Sequence, residues 1–452
     1  MSPQPSEPPV AVTPRAPLAR ILGLGFGVAV IFGGTVGVGI LRLPGMIAGQ
    51  LGNFWLIMLL WVIGALYALL GAISLSELGT AMPQAGGFYI YSRRAFGPAA
   101  GFAVGWADWL NNCAVVAFGA VAVAEYLCAL APPLAGFERL IAAALIASFC
   151  LLHLAGLRLG SRIQQVTSSV TAVTFLVLAA ACLLHPAVAS GLQHGLRGNT
   201  PMEMLVPLVA ALRAIVVTYD GWYEAIYFTE EDTDAARHLP RAMIGGVLLV
   251  LGLYLLMNIA FLHVLSIPQL AASKLAAADA ARIVFPAWGS QFVTVLSILT
   301  LLSLINAVLL GAPRILLAIG RDGLFAQSAA RVDRGGTPVV AMVLSAAMSV
   351  LMILSGKFDD IIAVAAILIA AKYSANYIAV FVLRVREPAM PRPFRAWGFP
   401  VTTGLVLIGS LLFLVAAVHD DPLSALRALV LLAVALPAYA WMRWRQRRNF
   451  EV

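Results

Sequence analysis

The sequence predicts an all-α membrane protein of about twelve transmembrane helices, with the first and sixth broken in mid-span. Three observations carry this. Hydrophobic residues make up 61% of the 452-residue chain and charged residues 11%, against about 25% charged in an ordinary soluble domain. The apolar runs are about 20 residues long, enough to cross a hydrocarbon core of about 30 Å as helices, and they lack the alternation of barrel strands. Two runs are interrupted, one by Gly33-Gly34-Thr35-Val36-Gly37-Val38-Gly39 and one by Tyr219-Asp220-Gly221-Trp222. Glycine leaves helical angles freely, and a lipid-embedded segment tolerates bare backbone only beside protein or a water-filled cavity.

The predicted spans, in order, are 20–48 (broken), 53–79, 98–130, 138–157, 163–184, 203–229 (broken), 242–266, 289–319, 338–355, 359–383, 400–418 and 424–442. The segment 267–288 is too polar to span and is expected to form a short external helix. Residues 1–17, rich in Pro, Ser and Ala without the apolar core of a signal peptide, read as a disordered cytoplasmic tail. Residues 443–452 read as a basic cytoplasmic tail. With both termini in the cytoplasm, nineteen loop and tail arginines fall inside and six basic residues outside, the usual asymmetry of an inner-membrane protein. This explains the net charge of +8 without nucleic acid as a partner. The breaks fall five spans apart. An odd repeat length inverts the second copy, so 18–383 reads as a 5+5 inverted repeat with spans 11 and 12 (384–442) outside it.

An unwound span leaves N–H and C=O groups without intrahelical partners. At Gly37, Val38 and Gly39 the donors and the positive end of the following half-helix suit a carboxylate. The carbonyls that end the preceding half-helix suit an ammonium group. One break can therefore hold both ends of a zwitterion, with the Tyr219–Trp222 break opposite. The alternative is that these glycines serve close helix packing.

Further stretches resemble one family. Gly33 to Gly45 (GGTVGVGILRLPG) resembles the first-span signature of the amino acid–polyamine–organocation superfamily. Glu77 to Tyr91 (ELGTAMPQAGGFYIY), Tyr219-Asp220-Gly221-Trp222 with Thr229-Glu230-Glu231, Arg321-Asp322-Gly323-Leu324 and Arg392 to Pro400 (RPFRAWGFP) resemble its later motifs, in order. The sixth-span pattern is most similar to the L-type amino acid transporter branch and its bacterial relatives. The resemblance implies a LeuT-like fold and an amino acid moved by alternating access. It implies that Gly37, Val38 and Gly39 donate to the substrate carboxylate, and that carbonyls near Gly33, Thr35 and Tyr219 receive its amino group. Tyr219, Asp220, Gly221 and Trp222 would line the side-chain pocket and outer gate. Eukaryotic L-type members pair with a heavy chain through a cysteine between spans 3 and 4. Residues 130–139 contain none, so no disulfide-linked heavy chain is expected. The other expected partners are the amino acid and the lipid bilayer. Where many relatives carry a span-5 lysine, this chain has Thr171 by alignment of Gly156–Gln164.

Charged and polar residues inside spans are functional candidates. Asp220 could titrate, hold a substrate ammonium group, or cap the second half of its helix. Lys372 in span 10 could carry a proton, face an acidic substrate, or pair structurally. Thr171 and Ser303 could offer oxygens to sodium, since hard cations prefer oxygen. Asn306, like Asn111 and Asn112, could contact ligand or bond between helices. Glu230 and Glu231 lie near Arg237 and Arg241 and could form a cytoplasmic gate. The four cysteines lack metal spacing and the histidines form no metal pattern. No triad, phosphate loop or nucleotide motif is present. No enzyme activity, metal or cofactor is therefore expected beyond a coupling proton or sodium ion. The alternatives to an amino acid permease or exchanger are a polyamine or organic amine transporter and a non-transporting sensor of the same fold.

Overall fold

The computed structural model describes residues 18–188, 201–333, 335–355 and 358–450; the expected tail 1–17 lies outside them. Among the described residues the structure is helical, apart from one parallel bridge between Leu22 and Asp232. Span 1 is the pair α1 (Leu24–Thr35) and α2 (Gly39–Leu51). Val36 takes φ −75° and ψ 98°, which ends α1, and the two axes differ by 50°. Spans 2 to 5 are α3 (Phe54–Ala81), α5 (Pro98–Leu130), α6 (Glu138–Leu154) and α7 (Leu157–Leu184), with a short α4 (Phe88–Phe96) between α3 and α5. The Asn53 side chain caps α3 by accepting from Leu56 N.

Span 6 differs from the simple broken helix expected. After α8 (Pro201–Thr218) the chain turns through Tyr219–Tyr223 and continues only as a 3₁₀ segment, Glu224–Phe228. Part of the reason is local. Gly221 takes φ +106°, and five aromatics crowd the ten residues that follow Thr218. Asp220 therefore caps no α-helix. Spans 7 to 12 are α9 (Ala235–Val264), α12 (Gly289–Arg321), α13 (Val339–Ser355), α14 (Phe358–Arg386), α15 (Val401–Asp420) and α16 (Pro422–Phe450). The segment between spans 7 and 8 forms two short helices, α10 (Ile267–Ala272) and α11 (Ala276–Val284), both packed on α2. The basic residues read as a tail after 442 continue α16 instead.

Among the described residues, seven helices are long and apolar enough to cross a membrane, and the bent α1–α2 pair makes an eighth. Span-6 residues Leu205–Thr218, α13 and the start of α16 are shorter apolar helices. The lipid-facing side is legible on α15, where Val401, Leu405, Ile408, Leu412 and Val415 recur every three or four residues and are all exposed. The inverted repeat appears as self-related pairs in contact: α3 packs on α9 (spans 2 and 7), α5 on α12 (3 and 8) and α6 on α13 (4 and 9). Spans 1 and 6 meet at their breaks.

Candidate substrate site at the two breaks

Gly221 lies against the span-1 backbone so closely that a Cβ there would overlap the Gly34 carbonyl and come within 2.9 Å of Thr35 N. A Cβ on Gly39 would lie 3.0 Å from Thr218 Cγ2. Tyr254 of α9 links the two unwound ends. Its hydroxyl stands 3.2 Å from Thr35 O and 3.0 Å from Thr218 O, so two of the carbonyls freed by unwinding share one internal donor.

The N–H groups expected to cradle a carboxylate have open space beside them. Among the described residues, the N–H groups of Gly37, Val38 and Gly39 donate to no backbone acceptor outside regular helix. A Cβ at Gly37 would meet nothing within 4 Å. A cavity of about 600 Å³ reaches Val38 and Gly39 past Arg42, Leu43, Met46 and Ala271–Lys274. Free donors, the N-terminus of the 13-residue α2 and two cations at the mouth all favour an anionic group.

The other glycines and aromatics have neighbours that fill their space. Gly33 faces the amide of Gln164: a Cβ there would overlap Gln164 Nε2 and Ser303 Oγ. Tyr219 donates to Trp61 O of α3 at 3.2 Å and is 1% exposed. Trp222 stacks on Tyr373, with ring centroids 5.7 Å apart, and presses on Gly71 of α3. Both rings thus point into the packing with spans 2 and 10. Asp220 is partly buried and accepts the Tyr373 hydroxyl.

Lys372 has a full set of partners. Its ammonium donates to Asp108 Oδ1 at 2.7 Å and Tyr223 Oη at 3.0 Å. It also lies 4.3 Å from the Tyr223 ring centroid and 4.9 Å from that of Phe88. Asp108 in turn accepts from Tyr227 Oη at 2.7 Å. The pair ties α5 and α14 to the span-6 segment.

The proposed sodium ligands are also rearranged. Gln164 Nε2 stands 3.2 Å from Ala29 O, 3.1 Å from Ser168 Oγ and 3.2 Å from Ser303 Oγ. The other end of the same amide accepts from Asn306, which pairs with His153 Nε2 at 2.8 Å. An amide nitrogen thus stands among the oxygens around Ser303. Thr171 is not among them: its hydroxyl is buried with no hydrogen-bond partner.

The side of the molecule that carries the start of α1 is sealed. Ile21 N and Leu22 N donate to Glu231 O at 3.0 Å, and Thr233 N returns a bond to Leu22 O at 2.9 Å. Glu231 is fully buried and bidentate to Arg314, both bonds 2.9 Å. Glu230 binds Arg321 at 2.8 Å and Ala85 N at 3.0 Å. The partners of Glu230 and Glu231 are thus α12 arginines; Arg237 faces Asp234.

Sequence reasoning missed Asp108, Gln164, Glu224 and Tyr254. Asp108 carried a signal, being an ionisable residue inside an apolar run. Tyr254 carried none, because a tyrosine in a span is usually packing.

Unwound spans meeting beside a cavity, within an inverted repeat, define a membrane transporter. The chain belongs to the amino acid permease family, whose model matches residues 27–435. It is 26% identical over 440 residues to the serine/threonine exchanger SteT of Bacillus subtilis (strain 168), covering 95% of this chain and 98% of that protein. It is 25% identical to the mouse b(0,+)-type amino acid transporter 1, covering 90% of this chain and 84% of the relative. It is also 25% identical to the human large neutral amino acids transporter small subunit 2, covering 93% and 80%. The chain is therefore a multi-pass amino acid transporter of the amino acid–polyamine–organocation superfamily.

Proposed function

We propose that this transporter is a sodium-independent exchanger of small neutral amino acids in the inner membrane, with both termini cytoplasmic. The observation that carries the reading is the free donor set at Gly37, Val38 and Gly39, beside open space and the start of α2. A carboxylate accepts these N–H groups, and the ammonium group turns toward the carbonyl-rich end of α1. Sodium independence is supported by Gln164, whose amide nitrogen stands where an ion would need bare oxygens. The small side chain is suggested by the serine/threonine exchanger's name and its near full-length match. The sealed side, with its arginines and the residues before α1, is the cytoplasmic one on this reading.

Proteoliposomes loaded with unlabelled L-serine test it. Labelled L-serine should enter only loaded vesicles and at the same rate in sodium and choline chloride. Entry into empty vesicles that depends on a sodium gradient would overturn the exchanger reading. A second reading, an organic amine substrate, is favoured by the excess of carboxylates (Asp108, Asp220, Glu224) over Lys372 near the break. Putrescine that is itself carried, while L-serine is not, would select it.

A further inference from the structure

Glu224 is the one group in this cluster that the transport site leaves unexplained. It follows Gly221 by three residues, its N–H donates to Gly221 O at 3.1 Å, and it is 2% exposed. Its Oε2 is buried and has no hydrogen-bond partner. The side chain lies between two bare backbone positions. A Cβ on Gly34 of α1 would be 2.7 Å from Glu224 Cγ, and one on Gly311 of α12 would be 3.3 Å from Glu224 Oε2.

The groups around it are otherwise engaged. Three charges act on it: Lys372 from α14, Asp108 from α5, and Asp220. Lys372 is bound to Asp108, and Asp220 accepts from Tyr373. Tyr227 gives its hydroxyl to Asp108, and Tyr223 receives Lys372. On α12, Arg314 is held by Glu231. On α9, His238 faces Asp232 and Tyr254 faces the break carbonyls. On α1 the facing residue is glycine. One lysine thus stands among three carboxyls and is already paired. An ionised carboxylate with an unmet oxygen in so buried a setting is strongly disfavoured, and a proton removes that penalty.

We propose that Glu224 is a proton-binding site that keeps its proton while the α1 side is sealed and yields it when span 6 separates from α1 and α12, so that amino acid movement carries a proton. The coupling half of this rests on the transport reading above; the proton site does not. On release the carboxyl O–H bond breaks, the electron pair stays on the carboxylate, and the proton passes to water in the opened cavity. Gly34 and Gly311 let the side chain pack directly against bare backbone, so a shift of α1 or α12 uncovers the carboxyl.

Two measurements on the full-length protein test this. Infrared difference spectra recorded between about pH 5 and about pH 9 should show a protonated-carboxyl C=O band that Glu224→Gln removes and Glu224→Asp shifts. The same band in Glu224→Gln would overturn the proposal. In proteoliposomes loaded with L-serine, the rate of serine exchange should depend on pH with the wild type. Glu224→Gln should lose that pH dependence. A pH dependence that survives the substitution would overturn coupling through Glu224. If the wild type carries no amino acid at any pH, the transport reading falls, and the infrared band alone decides the proton site. A melting curve shows whether Glu224→Gln is folded; if it is not, the comparison runs between the wild type and Glu224→Asp, whose shifted band would support the proposal and whose unchanged band would overturn it.

Discussion

Gly221 and Gly34 meet backbone to backbone, and no side chain fits between them. The Gly221 φ of +106° lies in the region that glycine alone adopts freely, and its Cα faces the Gly34 carbonyl. The two halves of the repeat are joined here by close approach of main chain. Gly221→Ala should therefore cost about 3 kcal/mol or more through strain and overlap. A marked fall in melting temperature of the purified protein is the expected result, and an unchanged melt would contradict the contact.

Gly37 is the opposite case. A Cβ there would meet nothing, so Gly37→Leu should fold with an ordinary melting temperature. It should lose the stabilisation that substrate confers on the wild type, because the new side chain occupies the space beside the free N–H groups. A preserved serine-induced thermal shift would remove Gly37 from the site.

The Lys372–Asp108 pair should behave as a buried ion pair. Lys372→Met or Asp108→Asn alone leaves an uncompensated charge or a broken network at a cost of about 3–5 kcal/mol. The double substitution should recover much of that loss. Melting temperatures of the three variants check this, and strictly additive losses would show that the residues act separately.

Tyr254→Phe removes the hydroxyl shared by Thr35 O and Thr218 O. Two buried carbonyls would lose their donor, with an expected cost of about 1–3 kcal/mol. A denaturant or thermal melt reads this directly. Exchange should slow as well, since the breaks would no longer be held in one arrangement.

Arg314→Gln leaves Glu231 buried without its bidentate partner. The sealed arrangement should weaken by about 3–5 kcal/mol. In a Cys128→Ser background, Ala225→Cys should then be labelled faster from the α1 side than in the presence of Arg314. Equal labelling rates would show that the seal depends on other contacts.

The twelve spans were legible because crossing lipid is a local property: each run carries its own length and hydropathy. The breaks were legible for the same reason, since glycine's freedom acts at its own residue. The shape of the second break was less so. That the chain past Gly221 becomes 3₁₀ depends on Trp222 and Tyr219 being drawn into α3 and α14, which no local pattern states.

The sequence alone thus determined the helical membrane class, the paired interruptions and the resemblance that led to an amino acid transporter. Tertiary structure decided which glycines are contacts and which are space, and who pairs with whom. Lys372 and Asp108 lie 264 residues apart, Gln164 and Ser303 lie 139 apart, and Glu231 and Arg314 lie 83 apart. Hydropathy is summed along the chain, whereas burial of a charge is settled by whatever the fold brings beside it. The electrostatics of the site could therefore be read only once the helices were packed.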